Sequence, residues 1–387
     1  MQADVRTHVL ALDGARLVAA ALVVLTHAAF LSGAVNSAGL WGHLMGRGDF
    51  GVAIFFVLSG YLLHRGLVRD PRSLSTQHLR TYAVRRAARI LPAYWLVLAV
   101  VAIATGPSAR DLLLHALTLQ IYVHHSLIPA FSQSWSIATE VSFYAVLPLL
   151  ALALAAARRR NPDLPVSILT AFLPVGVALT WLASSADLLH DIPYERWLPA
   201  RSASFALGMF LAEVVARPSH PVSRRLAAWA ARPGPVLALG GAAYLLATTP
   251  VAGRLTLGTV SGGRLAVKMV LSCVVALAVL LPLVLGGDNP WRRALGHPVC
   301  AGLGRISYGI FLWHVPVFTL LYAVSGLEEF SGGLVPLLAL GVPLTLLLGA
   351  LTYVAVERPV IAWAHARGQE QRREAEAPRD PLERGRA

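Results

Sequence analysis

Ten windows of mostly apolar residues, each near the length a helix needs to cross a bilayer, limit what this 387-residue chain can fold into. They lie near 9–31, 49–66, 89–106, 137–157, 166–185, 199–216, 234–250, 266–286, 301–325 and 333–357. Inside lipid, backbone N–H and C=O groups must be satisfied within the segment, so isolated spans of this length are helices. Composition agrees, with 56% hydrophobic and 14% charged residues, against about 45–50% and about 25% in soluble domains. The expected fold is an all-α integral membrane protein, a bundle of about ten transmembrane helices in a lipid bilayer. The stretch 111–127 is apolar but short and carries three histidines. It reads as an interfacial or re-entrant helix between the third and fourth spans.

A net charge of +13 raises the question of nucleic acid, but the hydropathy excludes that partner and turns the charges into topology signals. Only Lys268 is a lysine, so the arginine excess fits a GC-rich bacterial genome better than a DNA-binding face. With the N-terminus placed in the cytoplasm, 25 of the 33 basic residues fall on the inner side. That bias predicts cytoplasmic N- and C-termini and a multi-pass protein of the bacterial plasma membrane. Asp13 and Arg16 interrupt the first apolar run, which argues against a cleaved signal peptide. The transmembrane domain is expected over 1–360, followed by a polar, disordered cytoplasmic tail over 361–387. Cys273 and Cys300 show neither a pairing pattern nor metal-ligand spacing, so no disulfide and no metal are expected.

Ionisable groups inside spans cost roughly 2.5–3.5 kcal/mol on insertion scales and usually mark a functional interior. The first span carries Asp13, Arg16 and His27. Arg16 and His27 are eleven residues apart, which sets them on one helix face about 16 Å apart along the axis. The functional reading is a ligand channel with chemistry at the histidine end. The bland one pairs Arg16 with Asp13 and leaves His27 a satisfied interior histidine. Arg85, Arg86 and Arg89 open the third span, and the Arg86–Arg89 spacing puts two guanidinium groups on one face. They are either a grip for phosphates or ordinary positive-inside anchors. In the segment from Ser132 to Leu150, Glu140 follows Trp135 and Ser136 by about a turn, at the depth expected for His27. It could orient the imidazole or favour the helix N-terminus. Tyr308 and His314 occur in a later span, and Glu357 with Arg358 reads as an interfacial ion pair.

Taken in order, these pieces resemble the acyltransferase family 3 membrane proteins, which include bacterial polysaccharide O-acetyltransferases. LDGARLVAAALVVLTH resembles the family's first-span motif, and GVAIFFVLSGYLL its second-span motif. RRAARILPAYW resembles its arginine pair, WSIATEVSFY its Trp-Ser…Glu segment, and GRISYGIFLWH its ninth-span signature. The resemblance implies transfer of an acyl group, usually acetyl from acetyl-CoA, to a hydroxyl of a carbohydrate or another acceptor. Carried over by position, His27 and Glu140 are the catalytic residues, and Arg16, Arg86 and Arg89 bind the acyl-CoA from the cytoplasmic side. Asp13, Trp135, Ser136, Tyr308 and His314 support the site. Two positions depart from the pattern. Ala53 stands where an acidic residue is common, which bears on the acceptor pocket, and Leu17 replaces a glycine. The competing function is a transporter or flippase of a glycan or lipid intermediate, with Arg16 and His27 as its relay.

Overall fold

The computed structural model describes residues 2–69, 75–185, 194–253 and 261–376. It is helical throughout, with no strand among the described residues. The main helices are α1 (Gln2–Leu31), α2 (Phe50–Arg69), α3 (Thr76–Thr105), α4 (Ala109–Ala116), α5 (Trp135–Arg160) and α6 (Leu164–Ser185). They are followed by α7 (Leu198–Ala216), α8 (Pro233–Ala247), α9 (Gly262–Val284), α10 (Ser307–Ser325) and the composite α11 (Leu334–Gly368). Among the described residues, nine helices are long and apolar enough to cross a membrane. The expected span over 234–250 is the exception, because α8 has 15 residues, fewer than the roughly 20 a span needs. Helix continues from α11 to Glu376, so the boundary expected at 360 falls within a helix, and 377–387 lie outside the described residues.

The region 111–127 is only partly helical. Ser108 caps α4 by accepting the Asp111 amide proton at 3.1 Å, and the helix stops at Ala116. Its last carbonyls are taken by α3, where Tyr94 Oη donates to His115 O and Trp95 Nε1 to Ala116 O, each at 3.0 Å. The chain then turns through positive φ at Thr118 and His125 and re-forms as a 3-10 helix over Pro129–Ser134. Gln133 Nε2 donates to the Leu312 carbonyl at 2.7 Å, which ties this turn to α10 just before α5 begins.

α7 sits at the centre and packs against α2 and α6. Its contact with α2 is backbone-close. A Cβ at Gly208 would run into the Val57 carbonyl, and one at Gly60 into the Phe205 carbonyl. Small residues substitute here for the missing hydrophobic drive between helices in lipid, where close van der Waals approach does the work. The same interface carries a buried charge cluster, with His64 Nε2 2.7 Å from Glu213 Oε1 and Arg158 paired to the same oxygen. That cluster joins α2, α7 and α5. The outward faces are apolar, as at Ile103, Leu149, Leu347 and Val354, which suits a lipid-facing rim.

Gly208→Val forces α2 and α7 apart. It should lower the melting temperature of the detergent-solubilised protein, at a cost of about 1–3 kcal/mol for the overpacked contact. A melting temperature equal to wild type would show that the interface has slack.

Candidate active site

Three adjoining cavities follow α1 from Arg16 to His27. The first, about 280 Å³, lies at the arginine end and is lined by Asp13, Arg16, Arg85, Arg86, Arg89, Arg305 and His365 among others. The second, about 110 Å³, shares Arg16, Arg86 and Arg89 with the first and adds Ser136, Glu140 and Tyr308. The third, about 470 Å³, shares Val52 and Phe56 with the second and contains His27, Trp135, Asp49, Arg201 and Lys268. Nine of the ten residues expected at the site from the sequence, all but His314, thus lie along one path, from Asp13 at the arginine end through Glu140 and Tyr308 in the middle to His27 and Trp135 at the other end.

At the arginine end, Arg16 pairs with Asp13 one turn earlier, so the bland reading of that pair describes a real contact. The same guanidinium nevertheless lines both inner cavities. Arg89 NH1 donates to Glu357 Oε2 at 2.6 Å and lies over the Tyr308 ring, 5.7 Å from its centroid. Tyr308 Oη donates to the Ile90 carbonyl at 2.9 Å, which fixes the ring beneath Arg89. Glu357 therefore pairs with Arg89 across the bundle, and the expected pairing with its neighbour Arg358 is corrected. The cause is local. Tyr353–Glu357 forms a π turn, which re-aims the Glu357 side chain into the protein, where it is 1% exposed.

Glu140 lies in the middle cavity. Its Oε1 accepts from Ser59 Oγ and from Tyr144 Oη, the latter at 2.6 Å. The carboxylate expected to orient His27 is thus held among the arginines of the passage, while the imidazole has another partner. Tyr144, one turn after Glu140, was within reach of a helical-spacing argument. Ser59 was not, because it comes from α2 and only the packing of two helices brings it there.

His27 is met by His314. His27 Nδ1 lies 2.9 Å from the Val23 carbonyl oxygen and 3.2 Å from His314 Nε2, and the ring centroids are 4.8 Å apart at 64°. His314 Nδ1 lies 3.3 Å from the Ile310 carbonyl oxygen. A carbonyl oxygen only accepts, so the bonding assigns the proton of each neutral ring to Nδ1. His314 Nε2 then accepts from His27 Nδ1–H, and His27 Nε2 keeps its lone pair for the cavity. That is the arrangement a general base needs, with the far nitrogen fixed by a hydrogen bond. Trp135 lines the same cavity and packs edge-on against Phe56, at 6.4 Å and 88°. Ser136, in the middle cavity, donates to the Gln133 carbonyl at 3.2 Å. Ala53, at the position where the pattern departs, lines the histidine-end cavity.

A family model described as an acyltransferase domain matches residues 9–354, most of the chain. The chain belongs to the acyltransferase-3 family. Its relatives include BcsY of Komagataeibacter xylinus, provisionally named a membrane-bound transacylase, 26% identical over 90% of this chain and 81% of that protein. The exopolysaccharide production protein ExoZ of Rhizobium meliloti is 29% identical over 84% of this chain and 93% of its own length. The O-acetyltransferase OatA of Staphylococcus aureus is 22% identical over 90% of this chain but only 56% of OatA. No solved structure matches. This acyltransferase-3 protein is an O-acyltransferase, and its apolar helices make it a multi-pass membrane protein.

Two outcomes follow for this acyltransferase. Arg89→Ala leaves Glu357 buried without its cation and should destabilise the solubilised protein by about 3 kcal/mol, with Glu357→Gln restoring part of the loss in the double variant. A melting curve of the three variants checks this, and equal loss in single and double variants would show that the pair is not coupled. His314→Phe keeps an aromatic ring but removes the second acceptor of His27 Nδ1–H, leaving the Val23 carbonyl alone. It should lower the acyl-transfer rate constant by about 10–100-fold with the acceptor KM little changed. Unaltered turnover in initial-rate assays would remove His314 from the site.

Proposed function

We propose that this protein takes an acyl group, acetyl above all, from acyl-CoA presented at the arginine end and transfers it to an acceptor hydroxyl in the histidine-end cavity. The observation that carries this reading is the path of three cavities along α1, with arginines at one end and a hydrogen-bonded histidine at the other. Arg16, Arg86 and Arg89 would hold the CoA phosphates, because planar guanidinium groups match phosphate oxygens bidentately. Glu140, fixed by Ser59 and Tyr144, is a positioning residue in the passage. The acyl-bearing arm reaches past Val52 and Phe56, the residues common to the middle and histidine-end cavities.

Chemistry then needs one base. His27 Nε2 accepts the proton of the acceptor hydroxyl while the hydroxyl oxygen bonds to the acyl carbon. The C–S bond breaks, and the imidazolium returns the proton to the departing thiolate, so no proton is gained or lost overall. Holding both reactants in adjoining cavities supplies the proximity term, and the His314 hydrogen bond supplies the orientation of the base.

The reading places the arginine end in the cytoplasm of a bacterial cell and the acceptor outside the plasma membrane. The gathering of Arg16, Arg85, Arg86, Arg89 and Arg305 at that end supports the placement. A hydroxyl of a cell-envelope or exported glycan, or of a small-molecule glycoside, is the acceptor class. The name of ExoZ, an exopolysaccharide production protein, favours the glycan, and that of OatA, an O-acetyltransferase, favours acetyl as the group transferred.

The decisive measurement is CoA release from labelled acetyl-CoA by the purified protein in nanodiscs, with a glycan acceptor mixture. Wild type should release CoA and label the acceptor, and His27→Ala should lose at least about 100-fold of that rate at unchanged abundance. Wild-type activity in His27→Ala sinks the base assignment. Movement of a glycan across vesicles without CoA release would favour the transporter reading instead.

A further inference from the structure

The histidine-end cavity contains four cations among the described residues, Arg47, Arg196, Arg201 and Lys268. Three are engaged by the protein itself. Arg47 donates through Nε to the Ala247 carbonyl at 2.5 Å and through NH2 to the Ala252 and Gly253 carbonyls. Lys268 pairs with Asp49, and Arg196 Nε lies 3.6 Å from Glu195 Oε1. These contacts explain why each of the three stands where it does without any ligand.

Arg201 is different. It makes no hydrogen bond and no ion pair to a described residue, and its Nε is buried without an acceptor. Asp49 and Glu195 act on it only through space, each already occupied by another cation. Its guanidinium lies over the indole of Trp135, 5.0 Å from the ring centroid. The platform is itself fixed, because Trp135 opens α5 and packs edge-on against Phe56 of α2. Stacking on an aromatic face stabilises the cation while leaving its in-plane N–H donors directed away from the ring. A buried donor without an acceptor is destabilising, and an acceptor on a ligand would complete its bonding.

We propose that Arg201 binds an oxyanion carried by the acceptor, so that the sugar acylated here is an acidic one, with a carboxylate or phosphate near the hydroxyl presented to His27. This inference rests on the acyltransferase reading of the His27 cavity, and it adds the substrate class. A neutral sugar leaves the Arg201 donors unanswered, whereas an acidic one meets them with charge-assisted, planar hydrogen bonds.

The test reads binding, without acyl-CoA, to the full chain in nanodiscs. The probes are p-nitrophenyl β-D-glucuronide, glucose 6-phosphate and p-nitrophenyl β-D-glucoside, measured by equilibrium dialysis. In wild type at least one anionic probe should bind about tenfold or more tighter than the glucoside, as one charge-assisted contact allows. The two anionic arms tell carboxylate from phosphate. Arg201→Gln should abolish the preference, and Arg201→Lys should retain part of it as a point charge without the fork. Equal binding of all three probes to wild type, including no binding of any, overturns the proposal. So does a preference that survives Arg201→Gln. The wild-type comparison needs no variant to fold. Loss of CoA release in the transfer assay, with the anionic preference intact, would instead count against the acyltransferase reading.

Discussion

Charge buried in an apolar bundle has to be met by charge or by several carbonyls, because desolvating an isolated ion costs more than the fold can supply. That requirement organises this protein. His64, Glu213 and Arg158 join α2, α7 and α5, Arg89 and Glu357 join α3 to the last helix, and Arg47 is wrapped by three carbonyls. Each contact links segments far apart in sequence, so electrostatic pairing acts as cross-bracing in a bundle whose helices gain little from hydrophobic association within lipid.

The same requirement shapes the site. α1 carries the two groups that define its ends, and neither stands alone, since Asp13 meets Arg16 and His314 meets His27. The paired imidazoles fix one ring nitrogen and leave the other facing the cavity. The arginines and the histidine therefore belong to one path while remaining about three helical turns apart, joined by a narrow middle cavity.

Much of this was legible from residue order. Membrane-length apolar windows are a property of single segments, and nearly all of them became long helices. The window at 234–250 became a shorter helix, since α8 closes after 15 residues. The stretch 111–127 stops being helical at Ala116, where α3 side chains donate to the last carbonyls. Arg16 and His27 could be placed on one path since their spacing lies within one helix. What could not be read was the phase of one helix against another. The partner of His27 came from α10 and not from Glu140, and Glu357 reached Arg89 and not the adjacent Arg358. Those choices depend on helix rotation, which no local pattern encodes.

The π turn at Tyr353–Glu357 has a consequence of this kind. A π turn accommodates an additional residue within a helix, and each residue corresponds to about 100° of rotation. The segment before it, packed along α10, and the segment after it, packed along α3, are thereby indexed independently to two different neighbours. The turn works as a phase coupling in a drive shaft. It lets one continuous rod present different faces to α10 and α3, and together with the π turn at Leu337–Gly341 it sets the phase along the rod.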